Sequence, residues 1–470
     1  MRHRKNILIR NRSTEELERE RLGSRLGFIL LSAGCAIGLG NVYKFPYMVG
    51  ENGGGIFVLI YLFFLLTMGV PVMTMEFALG RASRKSVVKM YDEIEPKGSK
   101  WHWHGVVAMI ANYVLLMFYT VVTGWLIRFF VDTAKGDFAG LDTAGVEAHY
   151  NNMLAEPIPM TIYMLIVVIL AVIVCSKSLQ NGLEKITKYM MIALLCIMLV
   201  LCVNSVFLPG GQEGVKFYLM PSLDNLLEVG VGNVVVAAMN QSFFTLSLGI
   251  GSMAIFGSYI DKKRTLLGES VNIAALDTFV ALASGFIIFP ACYAYDVDVT
   301  SGMGLIFLTL PNIFNHIPLG QFWGSLFFIF MSFAALSTIF AVFENVVSCT
   351  MDLFGWTRKK ASLLNGIFLA FACMPCVLGW NVWSSFQPLG EGTNIMVLED
   401  FFVSNLALPI GSLIFIIFCV TRYGWGWDKF VVEANEGEGL KVQKWMRPYV
   451  TYVLPVMVGI IFVVGILGYL

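Results

Sequence analysis

The chain has 470 residues, of which 57% are hydrophobic and only 14% charged, and its formal net charge is zero. So few charges cannot cover a water-soluble protein of this length, whereas apolar runs of about 20 residues, long enough to cross a bilayer, recur throughout. The composition therefore predicts an all-α polytopic membrane protein with the lipid bilayer as its surroundings. It gives no support for nucleic-acid binding, because no basic tract is interleaved with aromatic residues.

The first predicted element is a charged leader, residues 1–26. It has no apolar core like that of a cleavable signal peptide, so we expect it to remain in the cytoplasm. Eleven membrane spans follow, judged by apolar length and polar punctuation. They are predicted at 27–50, 55–80, 104–132, 158–175, 184–207, 229–257, 265–294, 319–352, 361–379, 396–421 and 449–470, and are called spans 1 to 11 below.

Between spans 7 and 8, Met303–His316 is apolar but short, and is interpreted as a re-entrant or loop helix. Most of the 32 lysines and arginines fall in the leader and in alternate loops. Since cytoplasmic loops are enriched in these residues, the N-terminus is predicted to be cytoplasmic in a multi-pass protein of the cell membrane.

Span 1 is interrupted in its middle by the sequence SAGCAIGLGNVYKFPY, residues 32–47. Its glycines and Pro46 disfavour a continuous helix. Backbone groups freed within a membrane must be paired or line a polar cavity. Span 6 has a similar interruption, NQSFFTLSLGIGS at 240–252. The alternative interpretation is that these glycines only allow close helix packing.

Spans 1 and 6 each open a group of five spans, and matched interruptions of this kind indicate an inverted-repeat transporter with a site at the midplane. The fold predicted is an inverted 5+5 helix repeat with broken helices 1 and 6, plus one further C-terminal span. Its domains are the leader, a first repeat at 27–207, a second at 208–422, and a cytoplasmic loop with the last helix at 423–470.

These stretches, with FAALST in span 8 and EDFFVSN at the start of span 10, resemble the neurotransmitter:sodium symporter family, the solute carrier 6-like proteins. The likeness runs in order along nearly the whole chain, and the chain resembles a bacterial amino-acid transporter of the family, with about eleven spans. It implies two sodium sites. The first would use Ala36, Asn41, Thr245 and Asp277, and the second Gly34, Ile37, Ala334, Ser337 and Thr338. Oxygen-only ligation suits a hard cation.

The resemblance also implies a substrate site. Its residues would be Gly38, Leu39, Gly40, Leu115, Tyr119, Phe244, Thr245, Ser247, Ile250, Thr338 and Val342. Monoamine carriers of the family have an aspartate where this chain has Gly38, so the substrate here should bring its own carboxylate. The implied pocket is apolar, which favours a neutral amino acid with a hydrophobic or aromatic side chain.

The family usually has asparagine where this chain has Asp277. Other members place a carboxylate, or a serine that helps to hold chloride, four residues later, where this chain has Ala281. Tyr61, Gln241 and Thr245 occupy the other positions of that chloride site. A carboxylate about 4 Å from a cation contributes about 4 kcal/mol at an effective dielectric of 20. We therefore expect Asp277 to supply the charge directly and no chloride to be needed.

The resemblance further implies gates. Lys44 and Asp400 would close the outer side, and Arg19, Tyr259 and Asp352 the inner side. Two more acids lie within spans, Glu76 and Glu344. Glu76 is interpreted as structural, bonded to backbone near a helix break. Glu344 is either structural or a proton-coupling group, because intramembrane acids are often functional.

The function predicted is sodium-coupled import of a neutral amino acid by alternating access. The alternative is a non-transporting amino-acid sensor or a channel of the same fold. An enzyme is not expected, since the acids and histidines form no catalytic motif such as HExxH or GxSxG. Nothing in the sequence implies an obligate protein partner.

Overall fold

The structure is a computed structural model that describes residues 20–295 and 304–467. Regular structure within these ranges is helical, with only isolated β-bridges such as that between Gly54 and Pro221. The predicted all-α class is therefore confirmed.

Unbroken spans account for most of the helical residues. Within the described ranges, nine helices are long and apolar enough to cross a membrane: Gly55–Ser83, His102–Lys135, Pro157–Cys175, Gln180–Val206, Leu266–Ala294, Gly320–Phe354, Arg358–Leu378, Ile395–Val420 and Met446–Leu467. They correspond to predicted spans 2 to 5 and 7 to 11. The predicted last residues, 468–470, lie outside the described part of the chain.

Spans 1 and 6 are broken, as the sequence predicted. Span 1 consists of Arg25–Ala36 and Gly40–Glu51, bent by 58° at the break. Span 6 consists of Val231–Phe244 and Ser252–Tyr259, and residues 245–251 between them are not helical. Gly249, with a φ of 104°, adopts a backbone conformation that other residues rarely allow.

Several spans contain a π-helical turn, and proline explains most of these turns. The turns Gly40–Lys44, Leu65–Gly69, Leu305–Thr309, Phe402–Ala407 and Tyr449–Val453 each end two residues before Pro46, Pro71, Pro311, Pro409 and Pro455. Proline has no N–H, and its ring collides with the carbonyl four residues earlier, so the preceding turn widens. A sixth π-helical turn, Gln180–Glu184, has no such proline.

Shorter helices lie between the spans. They are Val87–Ile94, Thr143–Ala155, Gly211–Leu219, Leu223–Val229, Leu310–His316 and Trp427–Ala434. Leu310–His316 follows the π-helical turn Leu305–Thr309, in the segment that the sequence analysis gave as a short helix from Met303. Met303 itself lies outside the described residues.

The two breaks face each other in the middle of the molecule. The Gln241 side-chain amide of span 6 donates a hydrogen bond of 2.9 Å to the Gly40 carbonyl of span 1. Span 8 passes beside them and is the most enclosed of the nine unbroken spans in the described ranges, with 83% of its most apolar window buried. Below, the face that carries Gly23 and Asp352 is called the inner face and the opposite one the outer face, following the predicted orientation.

Candidate ion and substrate sites

Asn41, Thr245 and Asp277 form a polar cluster between the broken spans and span 7. The Asn41 side-chain amide donates to Asp277 Oδ1 at 2.8 Å, and the Thr245 hydroxyl donates to Asp277 Oδ2 at 3.1 Å. Asn41 Oδ1 in turn accepts a bond of 3.2 Å from the Gly38 N–H. Residues far apart in sequence thus bring a carboxylate, a side-chain amide and a hydroxyl together, with the Asn41 NH2 group facing the carboxylate and the Asn41 oxygen facing the Gly38 N–H. Ala36 is buried at the end of the inner half of span 1.

The charge of Asp277 makes this cluster suitable for a cation. Asp277 is completely buried, and no lysine, arginine or histidine in the described ranges forms an ion pair with it. An isolated buried carboxylate is costly unless a cation neutralises it. A hard monovalent cation bound by Asp277, Asn41 and Thr245 fits that requirement.

A second group of oxygens lies where span 8 crosses the break of span 1. Thr338 Oγ1 lies 3.4 Å from the carbonyl oxygens of Gly34 and Ile37. Ser337 Oγ lies 3.3 Å from the Ile37 carbonyl and 2.8 Å from that of Ala334. All of these oxygens are neutral, and they converge because span 1 stops being helical after Ala36. The group has the composition of a sodium site.

A small cavity adjoins both oxygen groups. It is lined by Ala36, Gly38, Gly40, Leu115, Tyr119, Phe244, Thr245, Ser247, Thr338, Val403 and Leu408. None of these residues is charged. The cavity volume is about 30 Å³. That volume suits a water molecule rather than an amino acid, so side chains must move aside before a larger ligand can enter.

Gly38 is required by the packing of this cavity. A Cβ atom at position 38 would collide with the hydroxyls of Tyr119 and Thr338. The Tyr119 hydroxyl accepts a hydrogen bond of 2.7 Å from the Leu39 N–H. N–H groups at the start of a half-helix attract anions, so the Leu39–Gly40 backbone together with Tyr119 is suited to a carboxylate, which would replace the Tyr119 hydroxyl as the acceptor of the Leu39 N–H.

Three residues that the resemblance assigned to the substrate site, Leu39, Ile250 and Val342, do not line this cavity, and Leu39 lines the larger outer opening described below instead. Ile250 and Val342 are buried elsewhere. The Ile250 carbonyl accepts a bond of 2.8 Å from the side chain of Asn112 in span 3. The cavity instead contains Val403 and Leu408 from span 10, which the sequence analysis did not single out. No local signal in the sequence of span 10 indicated them.

The positions of the family's chloride site surround Asp277. The Tyr61 hydroxyl and Gln241 Oε1 are buried without a hydrogen-bond partner among the described residues. The Thr245 hydroxyl donates to Asp277. Ala281, buried and apolar, contributes no polar group.

The outer face opens into a vestibule of about 290 Å³ above the cavity. Lys44, Tyr119, Phe244 and Asp400 are among the residues that line it. The Lys44 ammonium lies 3.7 Å from the centre of the Phe244 ring, and Asp400 accepts a bond of 2.8 Å from Ser404. The two predicted outer-gate charges are therefore not paired with each other.

The inner face is closed by a connected set of bonds centred on Glu344. Arg358, at the start of span 9, donates to the two carboxylate oxygens of Glu344 at 2.6 and 3.0 Å. The Tyr259 hydroxyl donates to Glu344 at 2.6 Å. Arg358 also contacts Glu20 at 3.2 Å, and Glu20 accepts a bond of 2.8 Å from the Leu179 N–H. Glu344 thus has a cationic partner within the protein, which favours the structural interpretation of this acid. The sequence analysis did not identify Arg358 as that partner.

Of the other predicted inner-gate residues, Asp352 lies within the described ranges and Arg19 does not. Asp352 accepts a bond of 2.7 Å from the Ser86 N–H.

Glu76, the other acid within a span, accepts bonds from the N–H groups of Gly249 and Met253 at the break of span 6, as expected of a structural carboxylate.

A helical membrane protein with two opposed broken spans, oxygen groups suited to cations and an adjoining enclosed cavity is a secondary transporter. The model of the sodium:neurotransmitter symporter family matches residues 19–143 and 145–470, and the chain belongs to this family. It is therefore a sodium-dependent transporter, not an enzyme.

Individual relatives agree with this assignment. The chain is 32% identical to an uncharacterized sodium-dependent transporter, YhdH, of Bacillus subtilis over 84% of this chain and 86% of that protein. It is 31% identical to the uncharacterized sodium-dependent transporter MJ1319 of Methanocaldococcus jannaschii over 94% and 89% of the two chains. Its fold matches the crystal structure of MhsT in complex with L-phenylalanine, with a TM-score of 0.84 and 32% identity, covering 95% of this chain and 100% of that one.

Proposed function

We propose that this protein is a symporter that imports a neutral amino acid with a hydrophobic or aromatic side chain, coupled to sodium. The observation that carries the proposal is the buried carboxylate of Asp277, which forms no ion pair in the described part of the chain and lies beside an uncharged cavity. A cation at Asp277 would compensate that charge and would also attract a substrate carboxylate bound at Leu39, Gly40 and Tyr119. Sodium and substrate would then raise each other's affinity, as linkage requires.

The lining of the cavity supports the substrate class. A side chain at position 38 would collide with Tyr119 and Thr338, so this protein has no room for a carboxylate of its own there. Leu115, Phe244, Val403 and Leu408 offer only apolar surface to the substrate side chain. The related protein MhsT was crystallised with L-phenylalanine, a ligand of this class.

Two sodium ions per cycle are proposed, one at Ala36, Asn41, Thr245 and Asp277 and one at Gly34, Ile37, Ala334, Ser337 and Thr338. Chloride is not expected to take part. An anion a few ångströms from the Asp277 carboxylate would be repelled by about 4 kcal/mol at an effective dielectric of 20. Uptake into proteoliposomes should therefore be the same in sodium chloride and in sodium gluconate, and a several-fold fall in gluconate would refute chloride independence.

Alternating access is proposed to occur in the cell membrane with the N-terminus inside, by rocking of spans 1, 2, 6 and 7 against the other spans. The proposed domains are the repeats 27–207 and 208–422 and the C-terminal segment 423–470. The outer gate would close when Lys44 and Asp400 approach each other. The inner gate would open when the contacts of Tyr259 and Asp352 break. The vestibule on the outer face and the bonded inner face support an outward-facing arrangement.

The test is equilibrium binding of radiolabelled L-leucine and L-phenylalanine to the purified protein, in sodium and in potassium. We expect binding only in sodium. Asp277→Asn removes the charge at the first sodium site, and we expect it to raise the sodium concentration for half-maximal binding at least tenfold. Asp224→Asn, a matched change in a short helix outside the cavity, should leave it unaltered.

Binding that is equal in sodium and potassium would contradict coupling, and an Asp277→Asn protein with unaltered sodium dependence would contradict this site. Counterflow of labelled substrate in proteoliposomes distinguishes a carrier from a sensor or a channel. Saturable counterflow is expected, and binding without counterflow would refute transport.

A further inference from the structure

Span 10 contributes one continuous face to both the vestibule and the cavity. Val397 and Asp400 line the vestibule, whereas Val403 and Leu408 line the cavity below it. Val403 lies within the π-helical turn Phe402–Ala407, and Leu408, five residues later, directly follows it. In a π-helix, residues five apart lie on the same side. Pro409, which cannot donate a hydrogen bond, follows this turn.

The backbone of span 10 is fixed against the break of span 6. A Cβ atom at Gly249 would collide with the Leu408 carbonyl, and one at Gly411 would collide with the Gly249 carbonyl. Backbones this close cannot move apart without losing their packing. The space available at this wall is therefore determined by the side chains that project from it, and not by the position of the helix.

Val403 is the residue of this wall that we expect to limit the size of the substrate side chain. Its side chain is 1% exposed and lies in the cavity with Leu115 and Phe244. Ile250 and Val342, the apolar positions that the family resemblance assigned to the pocket, are not among the lining residues. The apolar wall that span 10 contributes was therefore not among the pocket positions that the resemblance implied.

We propose that Val403 sets the largest substrate side chain that the central cavity accepts, with Leu408 as the second residue of the same wall. This inference rests on the proposed function, since it concerns the amino acid bound beside Asp277. One extra or missing methylene group in a hydrophobic pocket changes the ratio of affinities for two substrates by about 10- to 200-fold. The expected effect is therefore a change in the order of preference among amino acids.

The experiment uses the purified full-length protein in sodium. Unlabelled L-valine, L-leucine, L-phenylalanine and L-tryptophan compete with labelled L-leucine. Val403→Ala should shift the ratio of affinities toward L-tryptophan and L-phenylalanine by tenfold or more relative to L-valine. Val403→Phe should shift it by a similar factor in the opposite direction. Val403→Ile, a smaller enlargement, gives the second readout if the phenylalanine variant fails to fold.

Val420→Ala is the matched control, because it makes the same change in the same span at a buried position outside the cavity. Its affinity ratios should equal those of the wild type. Equal loss of affinity for all four amino acids in the Val403 variants would show a merely structural role and overturn the inference. Unchanged ratios would overturn it as well. Failure of the wild type to bind any amino acid in sodium would instead refute the proposed function, and this inference with it.

Discussion

The inner and outer faces of the protein carry comparable numbers of gate residues but differ in how these residues are bonded. At the inner face, Glu344 is fully buried and binds Arg358 and Tyr259 directly. At the outer face, Lys44 lies over the Phe244 ring rather than on Asp400. One face is held by charge-assisted hydrogen bonds, and the other contains an open vestibule. We therefore expect that this conformation is stabilised by the interactions at the inner face rather than by those at the outer face.

The strongest test of this contrast removes the cation of the inner network. Arg358→Met leaves the buried Glu344 carboxylate without its partner, which costs about 3–5 kcal/mol. We expect the inner face to open and the vestibule to close. A reporter cysteine, Val397→Cys in the vestibule, should then react several-fold more slowly with a water-soluble thiol reagent than in the parent protein.

The matched control for this test removes both charges. Glu344→Gln combined with Arg358→Met leaves no unpaired charge in the network, so reporter labelling should return most of the way toward that of the parent. Background labelling is measured in the chain without Val397→Cys, because Cys196 is exposed. Labelling unaffected by Arg358→Met would mean that the inner network does not hold the conformation.

A smaller effect is expected from the hydroxyl of the same network. Tyr259→Phe removes the bonds of this hydroxyl to Glu344 and Ser348 but leaves the pair of Glu344 and Arg358 in place. Ser348 keeps its own bond of 3.2 Å to Glu344, so Glu344 loses one hydrogen bond. One hydrogen bond contributes about 1 kcal/mol, so labelling of the Val397→Cys reporter should fall by up to about fivefold. Tyr449→Phe serves as the control, because its hydroxyl bonds to the Thr67 carbonyl and not to the network. An effect of the same size in both variants would argue against a specific role for Tyr259.

The smallest effect is expected at the outer face. Asp400→Asn removes a charge that is unpaired with Lys44 in this conformation, so labelling of the reporter without ligands should not change. Sodium with L-phenylalanine should protect the reporter in the parent, and that protection should weaken in the variant by between about 1.4-fold and fivefold. This corresponds to an exposed ion pair of about 0.2–1 kcal/mol in the closed form. A large change without ligands would show that Asp400 already contributes to the open form.

Much of the fold could be predicted from the sequence, because a membrane span is recognisable from the polarity of consecutive residues. Apolar length located the spans, and the glycines near Gly38 and Gly249 located the two breaks. The π-helical turns were not predicted, although prolines such as Pro409 lie just after them. The site residues came from the family resemblance, since Asn41 and Asp277 are 236 positions apart and no local pattern joins them.

The sequence by itself determined that this chain crosses a membrane, where it does so, and that two spans are broken, because each of these follows from the polarity of neighbouring residues. Only the tertiary structure decided that Arg358 neutralises Glu344, that Val403 rather than Ile250 lines the cavity, and that Lys44 and Asp400 stay apart. These contacts join different helices. They depend on how the helices cross and rotate against each other, which the polarity of a single segment does not specify.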